Sequence, residues 1–477
     1  MKRLLLALLL LAPAAAEPYQ PPPLEIVLPT EVELPAPASR PDELGSEPLT
    51  VDEAVNIALR YQSTVAVART QVEVAEGRTQ QTGAQTNPRL NLTSSYRDFF
   101  YVDPSLGGGV GGIGGAGGFI LGGNQTNATL RQLLFDFGYT RNLVRQNRAL
   151  EEAARAGYTR SQCDLMFQVK EAFYVAVQNQ RLVEVNLSNV KNRQAQLEQA
   201  NSRFEAGLGL PADVLRAQTA VTSAVFDLSQ AQTNAGLARL NLNNLMGIDP
   251  RTPLSLKDNP EEGPTTAKVE ELFEQALRNR PELTQAVANL EAGRYGVDAA
   301  NVSSAPQLNA SLVYGLNSEP FFNSLSVQLG LNFDIYDGGL QGGRVREAEA
   351  NREAAQAQLD GVAQTVLTEV GRAYLNLKTA EQRVQTARQA EASAAETLRL
   401  STGRYEGGLG IFLDVLEAQA ALLTAQTDRV NAQTQVDVAR AALNRAIGQP
   451  PPGVAPVVRT DEQPSPVSPL RPSADAP

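Results

Sequence analysis

Few side chains in this sequence could do covalent or acid–base chemistry. Histidine and tryptophan are absent, and Cys163 is the single cysteine. A lone thiol has no disulfide partner within its chain, and with no histidine it lacks the base that would activate it. Its setting, Cys163-Asp164-Leu165-Met166-Phe167, is helical and partly apolar, which predicts a buried and inert thiol. No acidic cluster has the spacing of metal ligands, and no carboxylate pair is nominated for general acid–base work. The expectation is a protein that is not an enzyme and carries no cofactor. Two acids stand out by position. Asp213 and Asp414 each follow a glycine-rich break, Gly207-Leu208-Gly209 and Gly408-Leu409-Gly410, at equal distance. Read locally, each carboxylate caps a starting helix or compensates its dipole.

The breaks organise the chain. Arg203 to Gln218 reads RFEAGLGLPADVLRAQ, and Arg404 to Gln419 reads RYEGGLGIFLDVLEAQ, 201 residues later. Each interrupts a much longer helical pattern, so each reads as a tight turn between two antiparallel helices. Before the first lie Met1-Lys2-Arg3, an apolar run Leu4 to Leu11 and Ala14-Ala15-Ala16, the layout of a secretory signal over residues 1–16. Residues 17–48 and 449–477 are proline-rich, holding 18 of the 29 prolines, and read as an extended linker and a disordered tail. The net charge of −11 argues against a nucleic-acid partner, which needs a basic face.

Between the proline-rich ends one scheme occurs twice. Residues 49–248 give a helix opened by a Thr50/Glu53 capping box and running toward Pro88, strands at about 89–102 and 126–136, a proline-free stretch from Tyr139, the first tip, and a helix from Pro211 to Gly247. A glycine-rich loop, 106–123, joins the strands. Residues 249–266 form a linker. Residues 267–448 repeat the scheme: a helix from Val269 to Ser304, strands at about 307–317 and 323–336, a proline-free stretch from Leu340, the second tip and a last helix. Before the strands the two copies are offset by 218 residues, and from Asp136/Asp337 onward by 201, so the first copy holds its insertion in its hairpin. Each proline-free stretch spans about 100 Å as a helix, and the two shorter helices of a copy placed end to end match it.

The strands alternate apolar and polar residues. In the clearest, Leu325, Val327, Leu329, Leu331, Phe333 and Ile335 oppose Ser326, Gln328, Gly330, Asn332 and Asp334. That is the pattern of a membrane-spanning barrel strand, although a soluble sheet packed on a core alternates as well. Four strands cannot close around an aqueous lumen, and an edge open to lipid is costly, so a membrane sheet must close by oligomerising. An exported coiled-coil protein, structural or adhesive, is the alternative.

The duplicated helix–hairpin–helix plan, the strand end Tyr336-Asp337-Gly338-Gly339 and the two Gly-Leu tips followed by Asp-Val-Leu resemble the TolC-type outer-membrane efflux proteins over about Leu49 to Gly448. The resemblance implies a mainly α fold with β, a homotrimer whose twelve strands close one barrel in the outer-membrane lipid, and a long α-helical barrel in the periplasm. It implies the exit duct of a tripartite efflux or type I secretion system, working with a periplasmic adaptor (membrane fusion) protein and an inner-membrane pump. Carried over by position, Ala206, Gly207, Leu208, Gly407, Gly408 and Leu409 would be the adaptor-docking tips. Asp414 and Glu417 would line the entrance aperture, where three copies would gather six carboxylates that attract cations. Asp213 and Tyr405 would link neighbouring hairpins and hold the entrance shut. Ala206 and Gly407 depart from the family's usual valine. With tryptophan absent, an aromatic girdle would fall to Tyr96, Phe99, Phe100, Tyr101, Tyr314, Phe321 and Phe322.

Overall fold

A computed structural model describes residues 48–101, 119–257, 268–317 and 323–450. The signal peptide, the proline-rich linker up to Glu47, most of the glycine-rich loop, the end of the inter-repeat linker, the turn at 318–322 and the tail beyond Pro450 lie outside these residues. So do the side chains of Phe99, Phe100, Tyr101, Phe321 and Phe322.

The first repeat runs α1 (Val51–Tyr61), α2 (Ser63–Gly83), β1 (Arg89–Tyr101), β2 (Phe119–Phe135), α3 (Tyr139–Glu205) and α4 (Pro211–Met246). The second runs α5 (Val269–Asn279), α6 (Pro281–Asn301), β3 (Gln307–Asn317), β4 (Asn323–Asn332), α7 (Leu340–Glu406) and α8 (Phe412–Ala446). The capping box opens α1 as expected, with the Thr50 N–H donating to Glu53 Oε2 at 2.8 Å. The long helices α3 and α7 have 67 residues each. Each packs against α4 or α8 along one stretch and against the earlier, shorter helices along the rest.

The single helix expected before each hairpin is broken in two. In the second repeat the cause is local: Pro281 forces Arg280 into extended backbone (φ −67°, ψ 122°) and then starts α6 at its first turn. In the first repeat no proline is present. Gln62 is extended (φ −73°, ψ 126°), accepts the Ser63 N–H at 2.8 Å, and donates its side-chain amide to the carbonyls of Asn244 and Leu245 at the end of α4. Arg280 stands 218 residues after Gln62 and does the same work, donating to the Arg445 carbonyl at 2.9 Å. Gly247 and Gly448 complete each joint. Both have positive φ, and a Cβ on either would lie 2.8 Å from the backbone of the broken helix.

The four strands form one antiparallel sheet in the order β1-β2-β3-β4, so the hairpins of the two repeats pair with each other. Two strand boundaries differ from expectation. β2 starts at Phe119, within the stretch read as glycine-rich loop, because β1 supplies partners as far as Tyr101. β4 stops at Asn332 rather than at about 336, because its partner β3 begins at Gln307 and offers nothing to pair with Phe333 to Tyr336. The inter-repeat linker is anchored at its start, where Leu49 and Ser255 to Lys257 exchange backbone hydrogen bonds of 2.8 and 2.9 Å.

Each repeat has its own apolar core where its short helices meet the long one. Val55, Val169, Phe173, Leu242 and Met246 fill the first; Leu283, Val366, Val370, Leu377 and Leu443 fill the second. Charge joins the repeats between these cores. Arg445 meets Asp164 of α3 at 2.7 Å and Glu282 meets Arg160 of α3 at 3.7 Å, while within the second repeat the buried Arg280 pairs with Glu282 at 3.3 Å and with Glu369.

Candidate functional site

The two tips lie side by side at one end of the chain. Both turns are Schellman motifs. Leu208 N–H donates to the Arg203 carbonyl and Gly207 N–H to that of Phe204; Leu409 and Gly408 repeat these bonds with Arg404 and Tyr405. The two glycines of each Gly-Leu-Gly have separate reasons. Gly207 and Gly408 take positive φ, 76° and 73°, which side chains rarely adopt. Gly209 lies against the preceding helical turn, where a Cβ would sit 2.9 Å from the Phe204 nitrogen. The leucines between them are turned outward, Leu409 with 78% of its surface exposed, and Leu210 and Ile411 extend the same apolar tip.

Beneath the tips a small core of Ala200, Ala217, Phe412 and Val415 encloses Tyr405. The ring of Tyr405 packs 5.3 Å from that of Phe412, and the Arg203 guanidinium lies 4.5 Å over its face. Arg203 also donates to the Tyr405 carbonyl at 2.8 Å, so the first repeat clasps the second. Burial pushes the Tyr405 phenol above its usual range; Arg203 opposes this and Asp213 adds to it. Asp213 and Tyr405 are thus brought together within one chain. Asp213 pairs with Arg216 at 3.5 Å, and among the described residues no hydrogen bond joins it to Tyr405. Arg203 went unread in the sequence. Its signal is the match of Arg203-Phe204 with Arg404-Tyr405.

Asp414 occupies the first turn of α8, as the dipole argument expects. Phe412, Val415 and Ala418 face the tip core, which leaves Asp414 and Glu417 exposed on the opposite face one turn apart. Neither meets a cation among the described residues.

At the far end the register divides the sheet by chemistry. Paired positions share a face. One face carries Leu90 and Leu92, then Ala128 and Leu130, then Leu312 and Tyr314, then Leu325 and Val327, in rows that cross all four strands. The other carries Asn91 and Thr93, Asn127 and Thr129, Ser311, and Ser326 and Gln328 in matching rows. The apolar face is uncovered: Leu90 is 76% exposed and Val327 79%. Tyr96 and Tyr314, the two described members of the expected girdle, stand on this face. A soluble sheet packs its apolar face on a core, and among the described residues no core covers this one. Among the described residues no helix is long and apolar enough to cross a membrane.

A sheet with one apolar face and one polar face, set on helices about 100 Å long, defines a bilayer-anchored conduit protein. Comparison with known proteins agrees. The family model for outer membrane efflux proteins matches residues 54–248 and 272–449. Protein CyaE of Bordetella pertussis is 28% identical over 337 residues, 68% of this chain and 71% of that protein. Outer membrane protein TolC of Escherichia coli (strain K12) is 23% identical, over 76% of this chain and 80% of its own length. Among solved structures, the outer-membrane channel OprN superposes with a TM-score of 0.73 at 21% identity, covering 87% of this chain and 97% of that one. CusC gives a TM-score of 0.73 at 17% identity, over 83% and 92%. The chain belongs to the outer membrane efflux protein family. It is a channel of the outer membrane extending into the periplasm, and it serves as an exit duct for efflux or type I secretion.

Proposed function

We propose that three copies of this chain close a twelve-stranded barrel, that their helices form one tunnel, and that the tips receive a periplasmic adaptor fed by an inner-membrane pump. The observation that carries this is the apolar face running across four strands whose outer members, β1 and β4, each leave an edge unpaired among the described residues. Backbone groups left open to lipid cost several kcal/mol each, so the edges need partners, and neighbouring copies supply them. At the tips, Ala206, Gly207 and Leu208 with Gly407, Gly408 and Leu409 present exposed apolar turns whose shape is fixed by hydrogen bonds, which suits docking. Asp414 and Glu417 point away from the tip core and line the entrance. Asp213 and Tyr405 brace the two hairpins and hold the entrance narrow.

Changing Asp414 to Asn together with Glu417 to Gln tests the entrance. In planar bilayers the variant should lose cation selectivity and block by multivalent cations. Unchanged reversal potentials would remove these residues from the aperture.

A further inference from the structure

We propose that the end of the sheet nearest the helices carries an oxoanion-binding site built on Arg89 and Arg131, facing the lumen. The proposal rests on the closed-channel reading.

Arg89 of β1 lies directly opposite Arg131 of β2. Both fall on the polar face, in line with Asn91 and Thr129, and their row continues through Ser311 of β3 and Gln328 of β4. They border a hollow of about 630 Å³ that Asn309 and Asp136 also line. Among the described residues neither guanidinium has a carboxylate within ion-pair distance. Asp136, the one acid among the described residues of this wall, is engaged elsewhere: Oδ1 accepts the Gly138 N–H at 3.1 Å and Oδ2 the Thr140 N–H at 2.7 Å at the start of α3.

Two like charges directly opposite on a ladder are unfavourable. The duplication shows that the fold does not demand them. The equivalent residues of the second repeat, 218 and 201 positions later, are Gln307 and Asn332, which pair in the same way and are neutral. The first repeat therefore holds two unneutralised guanidinium groups at a place where the second manages with amides. A planar guanidinium matches two oxygens of a phosphate, sulfate or carboxylate, and two side by side match one such anion well. Ser311, Asn309 and Gln328 add neutral donors on the same wall. In three copies six arginines would ring the lumen, at the opposite end of the helices from the acidic entrance. The ring would draw anionic cargo from the helical tunnel into the barrel.

The test uses the full-length protein in planar bilayers of neutral phosphatidylcholine, with inorganic triphosphate as the probe. In R89Q/R131Q the anion-to-cation permeability ratio should fall roughly threefold. The triphosphate concentration that half-blocks the current should rise roughly tenfold. R89K/R131K should keep the permeability ratio but recover only part of the block, because lysine lacks the fork. If the double variant does not assemble, R131Q alone should shift both quantities in the same direction. A conducting variant with unmoved selectivity and block overturns the site alone. A triphosphate effect that vanishes while the variants still change the response to added phosphatidylglycerol places the arginines on lipid headgroups and also overturns it. Absence of any conductance from the unaltered protein overturns the channel reading, and the lumenal site with it.

Discussion

Cys163 is 5% exposed, and its Sγ donates to the Gln449 carbonyl at 3.9 Å. Burial, with Glu282 and Asp164 nearby, pushes the thiol up to about 11, despite Arg280 and Arg445. The thiolate is the reactive form, so iodoacetamide at pH 8 should leave the folded protein unlabelled and modify it only in denaturant. The linkage has a definite sign. Below the ordinary thiol value both folded and unfolded chains hold the proton, and Cys163 adds no pH dependence. Between that value and about 11 only the unfolded chain ionises, so stability falls as pH rises. A Cys163→Ala variant should show a smaller loss of stability between pH 9 and 11 than the native protein, read from urea midpoints at each pH; equal losses would mean the thiol is not shielded. The local sequence supports this reading of Cys163, since apolar neighbours at helical spacing put it inside. The Gly-Leu-Gly breaks were equally legible as turns. What the sequence did not disclose is that one glycine answers to φ and the other to a close approach.

The joints at Gln62 and Arg280 set the shorter helices of each repeat beside the middle of the long one. Arg280 is 3% exposed and couples the helix break to Glu282, Glu369 and the last turn of α8. Replacing it by Met leaves Glu369 and the Arg445 carbonyl without their Arg280 contact and Glu282 with only the longer contact to Arg160, and the expected loss is about 3 kcal/mol. Gln62→Ala removes the two neutral hydrogen bonds to the α4 carbonyls and the cap on the Ser63 N–H, and should cost about 2 kcal/mol. Urea midpoints of the detergent-solubilised protein would rank the two, and equal losses would show that the ion pairs add nothing. These joints mark the limit of reading elements from sequence. Alternation identifies the strands, the long run without proline the two long helices, and matching registers the duplication, because each is a pattern carried by the sequence itself over many residues. The break at Arg280 has a local cause in Pro281. The break at Gln62 has none, since its amide is held by carbonyls more than 180 residues away. The start of β2 was hidden for a related reason: glycines that read as loop are drawn into a strand by a partner already in place.

At the scale of the whole molecule the edges of β1 and β4 decide the assembly. β1 has 13 residues and β4 has 10, and among the described residues of the chain the outer edge of each finds no strand to pair with. The apolar face beside these edges is suited to lipid, where unpaired groups cannot turn to water. Pairing β1 with β4 within one chain would give a closed tube of four strands with no room for a lumen, whereas pairing β1 of one copy with β4 of the next leaves both faces as they are and extends the sheet. The proposed trimer is then cyclic, because such a contact is head to tail and must close on itself. In a Cys163→Ala background, single cysteines at Thr93 or Ser95 on β1 combined with one at Ser324, Ser326 or Gln328 on β4 scan the unknown stagger between copies. At least one pairing should cross-link under mild oxidation into a ladder that ends at three chains. A ladder that ends at two, or a disulfide that forms only within a chain, would overturn the trimeric barrel and leave the apolar face to be covered in some other way.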